Sequence, residues 1–149
     1  MRRLRRASAG DAGSAVVEFV TLGVLLLVPV VYLVITLGRV QAGVFAAEGA
    51  AREAARAFTA AEDEGAGAHR ARAAVLLAFH DQGFRDADPA RSLVVDCEED
   101  PCLQPEARVR VEVTLDVVLP GVPRFVDAVV PTRVPVSAEA LAVVDRFRG

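Results

Sequence analysis

Gly13-Ser14-Ala15-Val16-Val17-Glu18-Phe19 opens the stretch that decides the fold. It continues as an apolar run to Leu37, and Glu18 is its only ionisable residue apart from Tyr32. Residues 15–37 number about 23, which at about 1.5 Å per helical residue gives roughly 35 Å, enough to cross a hydrocarbon core with some tilt. Pro29 falls within the run; it removes a backbone donor and frees the Leu25 carbonyl, so a kink is expected.

The charge on either side of the run gives it a direction. Residues 1–13 carry Arg2, Arg3, Arg5 and Arg6 against Asp11, a net +3, which leaves −6 for the rest of a chain whose total is −3. Basic residues beside a span stay cytoplasmic. The expected organisation is a flexible, basic cytoplasmic leader over 1–13, a transmembrane helix over 14–38, and an extracytoplasmic α+β domain over 39–149. A cleaved secretory signal ending at Val44-Phe45-Ala46 is the alternative, although the run exceeds the usual apolar region of about 7–15 residues.

The helical pattern does not stop with the run. Val40, Val44, Ala47, Ala51, Ala54 and Phe58 recur at spacings of three and four and predict one face of a helix reaching from 14 to 61. Glu48 and Arg52 fall at the favourable i,i+4 spacing. Gly65 and Gly67 are expected to break this helix. A second helix is predicted over 68–82, with a stripe of Ala71, Val75, Ala78 and Phe79, Leu76 and Leu77 beside it, and Gly83 as its C-terminal cap.

After Pro89 the period falls to two. Residues 92–96 predict a short strand and 108–118 the clearest one, with Val109, Val111, Val113, Leu115 and Val117 on one side and Arg108, Arg110, Glu112, Thr114 and Asp116 on the other. Residues 132–144 alternate again, and Pro135 there argues for an edge position or a strand start. Residues 124–130 read as a short helix or apolar turn. The fold class is therefore α+β: a long N-terminal transmembrane helix extends into a small domain with a second helix and about three antiparallel strands. The amphipathic half of the long helix covers the sheet.

Composition excludes several functions. The acidic body does not suit a nucleic-acid binder. With no tryptophan, and the one tyrosine inside the run, aromatic platforms for stacking sugars or bases are missing. His80-Asp81 has no nucleophile at a readable spacing, and no glycine-rich phosphate loop is present, so no catalytic residue and no cofactor is assigned. His69 and His80 lie on one helix without a second Cys/His pair for zinc. Asp96, Glu98, Glu99 and Asp100 offer oxygen ligands for calcium, but the EF-hand spacing and its glycine are absent, which favours a solvated turn. Cys97 and Cys102 bracket Glu98-Glu99-Asp100-Pro101; outside the membrane they can form a disulfide, and the alternative is two free thiols.

Glu18 carries the most weight. A carboxylate within a span is costly and calls for a partner, unless it is merely the last interfacial residue before lipid. Gly13, Ser14, Glu18 and Phe19, in that order, resemble the processing site of type IV prepilins and their pseudopilin relatives. The resemblance is closest to the TadE-like family of small pseudopilins of Tad (Flp) pilus assembly. It runs from residue 12 to 58, through Gly38-Arg39 and Ala50-Ala51-Arg52-Glu53-Ala54-Ala55-Arg56. It implies a pilin-like fold, a cut by prepilin peptidase after Gly13, and Ser14 as the new N-terminus. Its ammonium would then neutralise the Glu18 carboxylate, within one chain or between neighbours. The implied partners are the membrane, pilin and pseudopilin subunits, the assembly platform and the peptidase. Two other functions remain open: a membrane-anchored binding or sensor domain in which Glu18 is incidental, and a secreted protein freed after Ala46.

Overall fold

The computed structural model describes residues 11–121 and 132–147, with side chains from residue 15. Its elements are α1 (Asp11–Thr59), α2 (Glu64–Asp81), α3 (Pro89–Ser92), β1 (Leu93–Cys97), β2 (Arg108–Val118) and β3 (Arg133–Val143). The layout is α+β, as the change of period predicts. The segment 124–130 lies outside the described residues. The chain divides into two compact units between Leu37 and Gly38.

The first unit is the apolar part of α1. The helix continues through Pro29. Its large apolar side chains are exposed, Phe19 at 78% and Leu25 at 70%. Thr21 turns its hydroxyl back to the Val17 carbonyl at 2.7 Å, which satisfies that polar group within the helix. Among the described residues, α1 is the one helix long and apolar enough to cross a membrane. Residues 11–13 of the expected flexible leader are helical.

The second unit is built on a three-stranded antiparallel sheet in the order β1-β2-β3. β2 spans the residues that its alternation predicts and buries Val109, Val111, Val113, Leu115 and Val117. Each such burial contributes about 1.5–3 kcal/mol. β1 pairs with β2 from Leu93↔Val113 to Cys97↔Val109, one residue later than predicted. β3 pairs along the whole of β2, from Arg108↔Val143 to Val118↔Arg133. Pro135 stands near the start of β3, an edge strand, where its missing donor disturbs least.

Helix α1 covers the sheet with small side chains: Ala46, Ala47, Ala50, Ala51, Ala54 and Ala55 are buried, with Phe58 at the end of the row. The predicted stripe holds at Val40, which packs partly buried against the core, and from Ala47 onward, but Val44 is 38% exposed. Gly43 takes the inward place instead, because a Cβ there would overlap the Val117 side chain. Close approach of helix to strand selects glycine and alanine over valine.

Gly65 and Gly67 do not break α1. The break is a turn over 60–63, and α2 starts at Glu64 because Asp63 caps it, its Oδ1 accepting from the Ala66 N–H at 2.8 Å. Gly67 lies inside α2, where an added Cβ would come within 3.0 Å of the Phe58 ring. Ala71, Val75 and Phe79 bury the predicted face, while Leu76 and Leu77 are exposed. At the other end Gly83 (φ +78°) closes a Schellman turn: its N–H reaches the His80 carbonyl at 3.0 Å, and the Phe84 N–H reaches the Phe79 carbonyl at 2.8 Å. Phe79 and Phe84 are both buried in the core.

Candidate functional site

The residues that the sequence singles out, Gly13, Ser14, Glu18 and Phe19, share one helix. Gly13 and Ser14 lie within α1. Glu18 follows Ser14 at the i,i+4 spacing and is exposed, as is Phe19. Among the described residues Glu18 makes no ion pair and no side-chain hydrogen bond. Glu18 thus presents an exposed carboxylate beside an exposed aromatic ring on an apolar helix. The expected Glu48–Arg52 pair is formed at 3.5 Å, both ends largely exposed, and such pairs contribute only about 0.3–0.5 kcal/mol.

Cys97 and Cys102 stand at disulfide distance, with Cα atoms 5.4 Å apart. The loop they close is tied to α2, since the Cys102 N–H donates to Glu64 Oε1 at 2.9 Å. In the acidic turn Glu99 accepts from Gln104 Nε2 at 3.0 Å, and Glu98, Glu99 and Asp100 are exposed. Among the described residues no three His, Cys, Asp or Glu side chains are grouped so as to hold a metal. His69 and His80 are exposed on α2.

One contact was not legible beforehand. The Arg39 guanidinium lies over the Phe84 ring, 4.0 Å from its centroid, and donates to the Gly83 carbonyl at 3.2 Å. Arg39 belongs to the first turn after the apolar run, and Gly83 and Phe84 to the Schellman turn. Each feature is readable separately: a lone arginine after the run, and a glycine cap. Their separation of 44 residues hides the pairing.

Comparison with protein-family models, curated proteins and solved structures returned no match.

Proposed function

We propose that this chain is a TadE-like minor pseudopilin, a structural component of Tad (Flp) pilus assembly anchored by α1. In this reading Gly13 precedes the scissile bond and Ser14 becomes the N-terminus. Glu18 and Phe19 engage neighbouring pilin helices, and residues 39–149 face the extracytoplasmic side, where they meet other subunits and the assembly platform. The protein performs no reaction and holds no cofactor.

The observation that carries the reading is the continuity of α1. The helix headed by Gly13, Ser14, Glu18 and Phe19 is also the helix whose residues 43–58 cover the sheet. A subunit held through Glu18 therefore delivers its folded unit by the same element. Release after Ala46 would instead cut α1 within its packed part, removing Gly43 and Ala46 from their places against the sheet.

Replacement of Glu18 by alanine tests the role directly. The substitution is exposed and leaves the 38–149 unit untouched, so the protein should accumulate at normal levels while pilus assembly falls. Undiminished piliation with Glu18→Ala would refute the role of the carboxylate.

A further inference from the structure

β3 is an edge strand of 11 residues, and among the described residues no strand pairs with its far side. Its hydrogen-bond parity is set by β2. The Val144 N–H reaches the Ala107 carbonyl and the Leu119 N–H the Thr132 carbonyl, so the even-numbered residues of β3 bond to β2. The odd-numbered ones direct their main-chain groups away from it. A long row of free donors and acceptors is a template for another strand. Within β3 only Pro135 lacks a donor.

The apolar layer thins toward the same edge. Val109, Val111, Val113, Leu115 and Val117 on the inner face of β2 are buried. Their neighbours on β3, Val134, Val136, Ala138, Ala140 and Ala142, are only partly buried.

The strand is complementary to itself. A two-fold axis through Ala138 pairs it antiparallel with a second copy over its whole length, from Arg133 opposite Val143 to Val143 opposite Arg133. On the inner face Val134 meets Ala142, Val136 meets Ala140 and Ala138 meets its own copy, so each valine faces an alanine. On the outer face Pro135 meets Leu141 and Ser137 meets Glu139. The two charged residues of β3, Arg133 and Glu139, thus face uncharged ones, while Leu141 and Val143, 64% and 61% exposed, gain cover. Ser137, whose hydroxyl pairs with Thr114 Oγ1 at 2.9 Å, can also reach Glu139 of the second copy, a carboxylate held by Arg110 at 2.9 Å. An axis through Glu139 would instead oppose two carboxylates, which destabilises a sheet. Every other two-fold register leaves part of β3 unpaired.

We propose that β3 is a self-association edge: two copies of this chain join β3 to β3 about Ala138 in one continuous sheet, with three strands from each. Each outward pair exchanges two main-chain bonds, except Pro135 with Leu141, which keeps the bond that Leu141 donates. The pairing uses the 38–149 unit alone and is independent of the pilus reading.

Cysteine cross-linking of the full chain in detergent tests it, because Cys97 and Cys102 are bonded to each other and leave no other thiol. Ala138→Cys sets two thiols at a non-hydrogen-bonded pair, with Cα atoms about 4.5 Å apart and within disulfide range, so mild oxidation should give a covalent dimer. Ser137→Cys or Glu139→Cys alone lies diagonal to its own copy, about 7–8 Å away, and should cross-link at least about tenfold more slowly; the two mixed should cross-link to each other readily. Leu141→Pro leaves Pro135 of the second copy facing no donor. It should slow the Ala138→Cys cross-link at least about tenfold while circular dichroism shows the chain still folded. No dimer from Ala138→Cys beyond that of the unsubstituted chain, or equal rates at 137, 138 and 139, would overturn the proposal. So would an Ala138→Cys dimer that forms equally fast with Leu141→Pro. Should Leu141→Pro unfold the chain, the mixed cross-link decides: its presence supports the pairing about Ala138, and its absence overturns it.

Discussion

Arg39 lies over Phe84, its guanidinium carbon 4.0 Å from the ring centroid, while the same group donates to the carbonyl of Gly83. A cation over an aromatic face contributes about 0.5–1 kcal/mol at exposed sites, and a hydrogen bond from a charged donor about 1.5–3 kcal/mol. Arg39→Ala should therefore destabilise the 38–149 unit by about 1–2 kcal/mol. Arg39→Lys keeps the charge but loses the guanidinium's several fixed donors, so it should recover only part of the loss. Denaturant unfolding of the full chain in detergent measures both, and unchanged midpoints in both variants would show that the clamp is idle.

Two glycines of α1 should respond in opposite directions to the same substitution. Gly49 has open space where a Cβ would sit, so Gly49→Ala should stabilise by about 0.5–1 kcal/mol through helix propensity. At Gly43 the added methyl meets the Val117 side chain, and overpacking of that kind costs about 1–3 kcal/mol. Thermal unfolding of the two variants should shift to higher and lower temperature respectively.

The hydrogen-bond parity of the sheet makes a third prediction. The Leu119 N–H reaches the Thr132 carbonyl and the Val144 N–H the Ala107 carbonyl, both at 2.9 Å. Even-numbered residues of β3 therefore bond to β2, and odd-numbered ones turn their main-chain groups to the open edge. Leu141→Pro removes an outward donor and should be tolerated, at a cost of about 1 kcal/mol or less, whereas Ala140→Pro removes a ladder bond opposite Val111 and should prevent stable folding. Circular dichroism melts of the two variants decide it, and equal effects would contradict the register.

Much of this was legible in the residues. The strict alternation from Arg108 to Val118 defined β2 to the residue, because one buried and one wet face leave a strand a single register. The α1 stripe was legible where alanines repeat at helical spacing, and misread at Val44. There a large apolar side chain outweighed Gly43 in the pattern, although close approach to Val117 favours the smaller residue. Gly65 and Gly67 read as breakers, since nothing local shows that Asp63 caps a helix or that Phe58 needs the space above Gly67. In the site, Glu18 and the cysteine pair stand out by type and spacing. The Arg39–Phe84 stack and the Glu64–Cys102 hydrogen bond join segments far apart in the chain, and only the tertiary fold brings them together.

The cysteine pair should be oxidised in the mature protein. Closing so short a loop contributes about 2 kcal/mol by chain entropy. Reduction should lower the melting temperature by several degrees, and it should loosen the first turn of α2, which Glu64 links to Cys102. Peptide mapping with and without reduction checks the linkage; two alkylatable thiols in the unreduced protein would refute it.

The measurement that bears most directly on the whole interpretation is the intact mass of the protein extracted from membranes of cells that contain a prepilin peptidase. The expected species lacks residues 1–13 and begins at Ser14, four residues before Glu18. A full-length chain would contradict processing at Gly13, and a species lacking residues 1–46 would contradict membrane anchoring by α1 altogether.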